Sequence, residues 1–206
     1  MEGPVPTPTP RPVELSSVNC LPSPSGELWC FLTAGLTGGP PIEGIVGLVT
    51  LVEAGGRPLR TEPAFSPLNL LLPGSALPLV AYFAPPVPDY VAAAATVISA
   101  VSAGDPQGRY LPVEVIESKT TISEDGQAGS VEGLLLAGSP SGRPMEWLRL
   151  VALGFDGSGQ IVGFATVDPG VAVQLDLEFP FKLEVASLGP PIDRLELLVE
   201  ARGAGS

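Results

Sequence analysis

Several stretches of this chain alternate polar and apolar residues with the two-residue period of a half-buried β-strand. The alternating runs are Glu114 to Glu117, Leu148 to Leu153 and Gln174 to Val185, of which Gln174 to Phe179 (QLDLEF) is the clearest. Short segments between apolar runs are typical of turns, and they are Glu53 to Gly56, Pro73-Gly74, Asp156 to Gly159 and Pro169-Gly170. The pattern predicts an all-β chain of antiparallel strands.

Segments of the first half recur in the same order in the second half. The corresponding pairs are Leu28–Gly35 (LWCFLTAG) with Val131–Gly138 (VEGLLLAG), Gly56 with Gly159, and Leu77–Leu79 with Phe179–Phe181. A repeat of roughly one hundred residues has the size of an immunoglobulin-like β-sandwich. We therefore predict two tandem immunoglobulin-like antiparallel β-sandwich domains, 13–103 and 109–204, joined by a linker at 104–108. One larger sandwich built from the same strands is the alternative.

The segment Val91 to Ala103 (VAAAATVISAVSA) is ambiguous, because its alanines favour a helix. Its counterpart in the repeat, Arg194 to Glu200, alternates as a strand does. We therefore predict a strand for both segments.

Residues 1–12 (MEGPVPTPTPRP) are rich in Pro and Thr and predict a disordered, extended tether. Such a spacer suits a connection between a membrane anchor and a folded ectodomain, and an unattached tail is the alternative. The longest uncharged stretch, Pro63 to Pro88, is interrupted by prolines and therefore does not predict a membrane-spanning helix.

Composition excludes several classes of function. The chain has 25 Gly and 25 Pro, but its mean hydropathy of +0.36 leaves enough apolar surface for a core. It contains no histidine, which removes Ser-His-Asp triads and imidazole metal sites. A net charge of −12 does not suit nucleic-acid binding. We expect no nucleic-acid partner.

No motif predicts catalysis. Gly157-Ser158-Gly159 is too short for a dinucleotide fingerprint, and neither Lys119 nor Lys182 has an evident partner serine. The carboxylates Asp176 and Glu178 fit strand alternation, whereas Glu124, Asp125 and Asp156 lie in loops where oxygen ligands for Ca²⁺ are conceivable. The aromatic residues Trp29, Tyr82 and Phe83 fit a core, and Trp147 falls at a different point of the repeat from Trp29. The prediction is a non-enzyme without catalytic residues, metal site or cofactor.

The two cysteines, Cys20 and Cys30, predict one intramolecular disulfide between neighbouring strands. The prolines and glycine between them favour a tight loop that brings the thiols together. Gly133 occupies the position of Cys30 in the second half, which excludes a metal site shared across the repeat. A disulfide requires an oxidising compartment, and two free buried thiols in a cytosolic protein are the alternative.

The order Cys20, Gly26–Phe31 (GELWCF), an apolar strand, a Gly-rich turn and Leu72–Leu79 (LPGSALPL) resembles bacterial FxLYD-type domains. The second half contributes Phe155–Gly159 (FDGSG) and Pro180-Phe181, where the first half has Val52-Glu53 and Pro78-Leu79. The resemblance implies immunoglobulin-like extracytoplasmic modules, in tandem behind a lipoprotein or membrane anchor, with no catalytic residue.

Together these features predict a non-enzymatic extracytoplasmic structural or interaction module. It would be a scaffold or protein-binding ectodomain of a membrane-anchored bacterial envelope protein. Its partners would be envelope or cell-surface proteins, and its contact with the membrane would be only through the anchor. A receptor domain for carbohydrate or Ca²⁺ is the alternative.

Overall fold

The computed structural model describes residues 13–138, 144–169 and 177–204. In chain order the elements are β1 (Glu14–Leu15), β2 (Asn19–Pro22), β3 (Leu28–Gly35), β4 (Ile42–Val52), β5 (Pro58–Phe65), β6 (Ala76–Phe83), β7 (Ala92–Ser102), a 3-10 turn (Pro106–Gly108), β8 (Tyr110–Leu111), β9 (Val113–Ile122), β10 (Ala128–Ala137), β11 (Met145–Phe155), β12 (Ile161–Val167), β13 (Glu178–Ala186) and β14 (Arg194–Gly203). The strands pair antiparallel, which confirms the predicted all-β class. Within the described ranges, no helix has the length and apolarity needed to cross a membrane.

Some predicted features lie outside the described residues. They are the tether at 1–12, Gly170 of the Pro169-Gly170 turn, and Gln174 to Asp176 at the start of the clearest alternating run.

The strands of the N-terminal half (13–103) form one sheet in the order β1-β3-β6-β5-β4-β7, with β2 also paired to β3. β5 and β6 meet only through Ala64 with Ala81 and Phe65 with Val80. A Cβ on Gly47 of β4 would lie 3.4 Å from Leu79 Cδ1 of β6. The β5-β4-β7 part therefore faces the β2-β3-β6 part across a core, as in a sandwich.

The C-terminal half (109–204) has two sheets, β13-β10-β9 and β12-β11-β14-β8. A Cβ on Gly154 of β11 would contact Ile192 and Val185, and one on Gly129 of β10 would meet Leu195 of β14. These close approaches show that the two sheets pack face to face. The fold as a whole is an all-β, sandwich-like arrangement whose buried apolar side chains form one continuous cluster through both halves.

Several local predictions are confirmed. The ambiguous segment is strand β7, because it pairs along β4, whose Val49 and Leu51 are buried. Glu53 to Gly56 and Asp156 to Gly159 are hairpin turns closed by hydrogen bonds from Gly56 to Glu53 and from Gly159 to Asp156. Both glycines have positive φ, 77° and 81°, which explains why glycine recurs at this point of each half.

The core prediction is wrong for Tyr82. Phe83 is fully buried as expected, but Tyr82 is 42% exposed. Neighbouring residues of a strand point to opposite faces, so Tyr82 points away from the core that buries Phe83. Its ring packs on Trp29 of β3, with ring centroids 4.9 Å apart.

Candidate functional site

The site with the densest arrangement of charged and aromatic side chains is the junction between the two halves. Phe164 of β12 lies between two rings of β3, with centroids 5.9 Å from Trp29 and 5.8 Å from Phe31. Alternation along β3 directs Cys30 inward, and so Trp29 and Phe31 point outward. Phe31 is nevertheless only 1% exposed. Trp29 therefore packs across the junction rather than in the core of its own half.

Glu200 of β14 is the polar centre of the junction. Its Oε2 accepts hydrogen bonds from the backbone N–H groups of Asn69 at 2.8 Å and Leu70 at 2.7 Å, in the β5–β6 connection. The side chain is 7% exposed, and Arg202 Nε lies 3.7 Å from Oε1. Desolvation by burial raises the pKa of Glu200 despite these hydrogen bonds. A buried carboxylate from one half thus binds the backbone of the other.

A second group of polar residues adjoins Glu200. Arg109 Nη1 donates to both carboxylate oxygens of Glu43, each at 2.8 Å, and this bond raises the pKa of Arg109. The Tyr110 hydroxyl donates to Glu43 Oε2 at 3.0 Å and accepts from Asn69 Nδ2 at 2.7 Å. Arg202 Nη2 also donates to that hydroxyl, at 2.9 Å. Burial raises the pKa of Tyr110, which keeps its hydroxyl protonated as a donor.

Arg149 of β11 makes a third polar contact across the junction. Its Nη1 donates to the carbonyl of Pro67 at 2.9 Å, and its other nitrogens bind both oxygens of Asp168 at 2.5 and 2.6 Å. The guanidinium holds the pKa of Asp168 below its usual range. It also lies 4.8 Å from the ring centre of Trp147, while Arg202 lies 5.7 Å from that ring. Trp147 is therefore flanked by two arginines.

A cleft of about 640 Å³ opens beside the polar group. Its apolar wall includes Pro41, Leu70, Leu72, Pro106, Tyr110 and Leu111. The Tyr110 hydroxyl is used in the junction, so the cleft offers apolar surface with few free polar groups.

In the acidic loops, Asp156 and Asp125 form hydrogen bonds within their own turns. Asp156 Oδ1 accepts from the backbone N–H groups of Ser158 and Gln160, each at 2.9 Å, and these bonds lower the pKa of Asp156. Asp125 caps its own turn through Ser123 and Gln127, which lowers its pKa too. No group of three or more Asp, Glu or Cys side chains in ranges 13–138, 144–169 and 177–204 is placed to hold a metal ion.

Cys20 and Cys30 form the predicted disulfide. They are direct cross-strand partners in β2 and β3, with Cα atoms 4.0 Å apart. A disulfide indicates an oxidising, extracytoplasmic environment. At the corresponding place in the C-terminal half, Gly133 lies opposite Ser118, and a Cβ there would clash with the carbonyl oxygen of Glu117.

Comparison with known proteins does not identify a family for this chain. No family model matches the chain, and no curated protein matches it. Among solved structures, a β-glucuronidase from glycoside hydrolase family 2 aligns at 12% identity with a TM-score of 0.25. The alignment covers 80% of this chain and 20% of that chain. At this score the likeness carries no argument about activity.

Proposed function

We propose that this chain is a non-enzymatic extracytoplasmic module that holds two β-sandwiches in one fixed orientation. It would act as a scaffold or protein-binding ectodomain. The observation that carries the proposal is the contact of Glu200 with the backbone of Asn69 and Leu70. Relative motion of the halves would leave the buried carboxylate of Glu200 without these donors. Such motion is unfavourable, because a buried carboxylate without hydrogen-bond partners is strongly destabilised.

The strand order supports two tandem immunoglobulin-like domains, 13–103 and 109–204. In the N-terminal half β3 pairs with β2 and β6, and β4 pairs with β5 and β7. In the C-terminal half β10 pairs with β9 and β13, and β11 pairs with β12 and β14. These pairings of β2 to β7 therefore recur in the same order in β9 to β14, whereas β1 pairs with β3 and β8 pairs with β14. This order also suits the FxLYD-type resemblance.

The disulfide supports an extracytoplasmic location, and the Pro/Thr-rich residues 1–12 support a tether to an anchor. On this proposal the partners are envelope or cell-surface proteins. The arginine and carboxylate groups of the junction are engaged with each other or with backbone, which suits a structural role better than a reactive one.

The proposed rigidity can be measured by pulsed electron paramagnetic resonance between two spin labels. Labels at Thr37→Cys, in the exposed connection after β3, and at Thr121→Cys place one probe on each half, and the native cysteines are already paired. We expect one narrow distance distribution for the parent chain. Phe164→Ala together with Glu200→Ala should broaden it, whereas Glu196→Ala, at an ion pair outside the junction, should not. A broad distribution in the parent would contradict the proposal.

A thermal-shift panel separates this function from the receptor alternative. We expect no change in melting temperature with Ca²⁺, EDTA or a set of glycans. A rise of several degrees at submillimolar ligand would favour the receptor instead, because a ligand that binds only the folded state stabilises it.

A further inference from the structure

The N-terminal half has an uncharged sheet face that nothing in the described chain covers. This β5–β4–β7 outer face includes Thr61, Pro63, Phe65, Leu48, Thr50, Thr96 and Ile98. Thr50 and Thr61 share a hydrogen bond of 2.9 Å between their hydroxyls, and Leu48 lies opposite both Pro63 and Thr96. The intervening residues Gly47 and Ala64 point inward, toward Leu79. The whole set thus shares one surface.

This face exposes large apolar groups. Phe65 is 56% exposed and Ile98 is 53% exposed. β7 ends the sheet, and its sequence from Ala92 to Ser102 carries no charge. Monomeric proteins usually protect such edges and faces with charged side chains, so an uncharged one indicates a contact surface.

The C-terminal half shows what covers the equivalent face. On β12, β11 and β14 the outer side chains include Phe164, Arg149 and Glu200, and all three contact the N-terminal half. The edge of β14 is also paired, by β8. In this molecule, the outer face of such a sheet is therefore covered by the outer face of another β-sandwich. In the N-terminal half, no described residue covers the outer face of β5, β4 and β7.

The charge distribution of the chain favours a second copy as the partner of the β5–β4–β7 outer face. Two copies of a chain with net charge −12 repel each other, and an uncharged face is where a second copy approaches at least cost. The outer face of β9, β10 and β13 is unsuitable, because Glu132 lies there between Lys119 and Lys182. Eleven residues of β7 and three strands give a face of roughly 36 Å by 14 Å, so two copies would bury roughly 1,000 Å² in total, which is the size of a weak, reversible interface.

We propose that two copies of this chain form a two-fold dimer through their β5–β4–β7 outer faces. Phe65 and Ile98 of each copy become buried in the contact. The surface is separate from the junction, and the proposal does not depend on the proposed function.

Sedimentation equilibrium of the full chain from roughly 1 to roughly 200 µM tests the dimer. We expect a monomer–dimer equilibrium that strengthens as salt screens the net charge. Thr96→Lys should weaken dimerisation at least about tenfold, because the two-fold contact would bury one added ammonium group from each copy. Thr121→Lys, at an exposed threonine of β9, is the matched control and should leave the dimer unchanged. A monomer throughout the range, or equal weakening by both variants, would overturn the proposal.

A cysteine variant keeps the test decisive if Thr96→Lys fails to fold. Thr96→Cys supplies the single free thiol of the chain, because Cys20 and Cys30 are paired. A short bismaleimide should link it into a covalent dimer at concentrations where the parent dimerises. Thr121→Cys should remain monomeric under the same conditions, and equal cross-linking of the two variants would count against the face.

Discussion

Glu200 Oε2 and the backbone N–H of Asn69 are joined by a hydrogen bond of 2.8 Å that crosses from one half of the molecule to the other. The same oxygen accepts from Leu70, so a single atom satisfies two neighbouring backbone donors. A side chain can serve both because the connection after β5 presents these N–H groups to β14. One carboxylate thus ties the β5–β6 connection of one half to β14 of the other.

Removal of that carboxylate should be costly. Glu200→Ala leaves the N–H groups of Asn69 and Leu70 without their acceptor, and we expect the free energy of unfolding to fall by about 2–4 kcal/mol. Glu200→Gln retains an acceptor oxygen and should cost less. Urea denaturation followed by circular dichroism measures both. Glu196→Ala, which breaks an ion pair with Arg194 that is open to solvent, should change stability by no more than about 1 kcal/mol.

The pH dependence of stability should show the burial of Glu200. Desolvation raises its folded pKa above the unfolded one, so the folded state binds this proton more tightly. The contribution of Glu200 to stability is therefore greatest below the unfolded pKa and falls as pH rises through the folded pKa. We expect the difference in melting temperature between the parent and Glu200→Gln to decline as pH rises above about 4.3, the usual pKa of a glutamate. A difference that grows with pH would contradict this assignment.

The aromatic contact should contribute independently. Phe164→Ala removes the ring that packs on Trp29 and Phe31, and we expect a loss of about 2–4 kcal/mol in unfolding free energy. Phe65→Ala is the matched control, because its ring is mostly exposed, and it should cost less than about 1 kcal/mol at protein concentrations too low for dimers. Equal losses of unfolding free energy in Phe164→Ala and Phe65→Ala would show that the Phe164 contact adds little to stability.

The disulfide should be complete in protein made in an oxidising compartment. Denatured, unreduced protein should give no titratable thiol, and reduction should expose both. Replacement of Cys20 and Cys30 by alanine should lower stability by roughly 2–3 kcal/mol, since the bond restricts the unfolded chain. Two free thiols before reduction would remove the argument for an extracytoplasmic location.

Gly133 should tolerate no side chain. Its Cα lies so close to the strand β9 that a methyl group would clash with the carbonyl oxygen of Glu117. We expect Gly133→Ala to cost more than about 3 kcal/mol or to prevent folding. Gly157 has open space around it, and Gly157→Ala should be close to neutral. Thermal melts of the two variants side by side distinguish these outcomes.

Local structure was predictable from the sequence because its causes are local. Alternation and turn residues identified β9, β11 and the two glycine hairpins, and the repeat resolved the ambiguous β7 segment as a strand. The short proline-rich and glycine-containing loop between Cys20 and Cys30 was enough to predict their bond.

The junction was not predictable because its residues are distant in the sequence. β3 is apolar on both faces, since one face packs in the core and the other on Phe164. Sequence alone therefore could not separate core from contact surface, and Tyr82 was wrongly assigned to the core for the same reason. β14 alternates charged and apolar residues, so the sequence placed Glu200 and Arg202 on the same solvated face as Arg194 and Glu196.

The contact between Asn69 and Glu200 joins residues 131 positions apart. During synthesis or export the chain emerges from its N-terminus, so β14 becomes available after the other described strands. The N-terminal half can pair its strands and oxidise its cysteines before any residue of β14 exists as a partner. The contact of Glu200 can therefore form only after β14 has emerged, later than the contacts that Phe164 and Arg149 make with the N-terminal half.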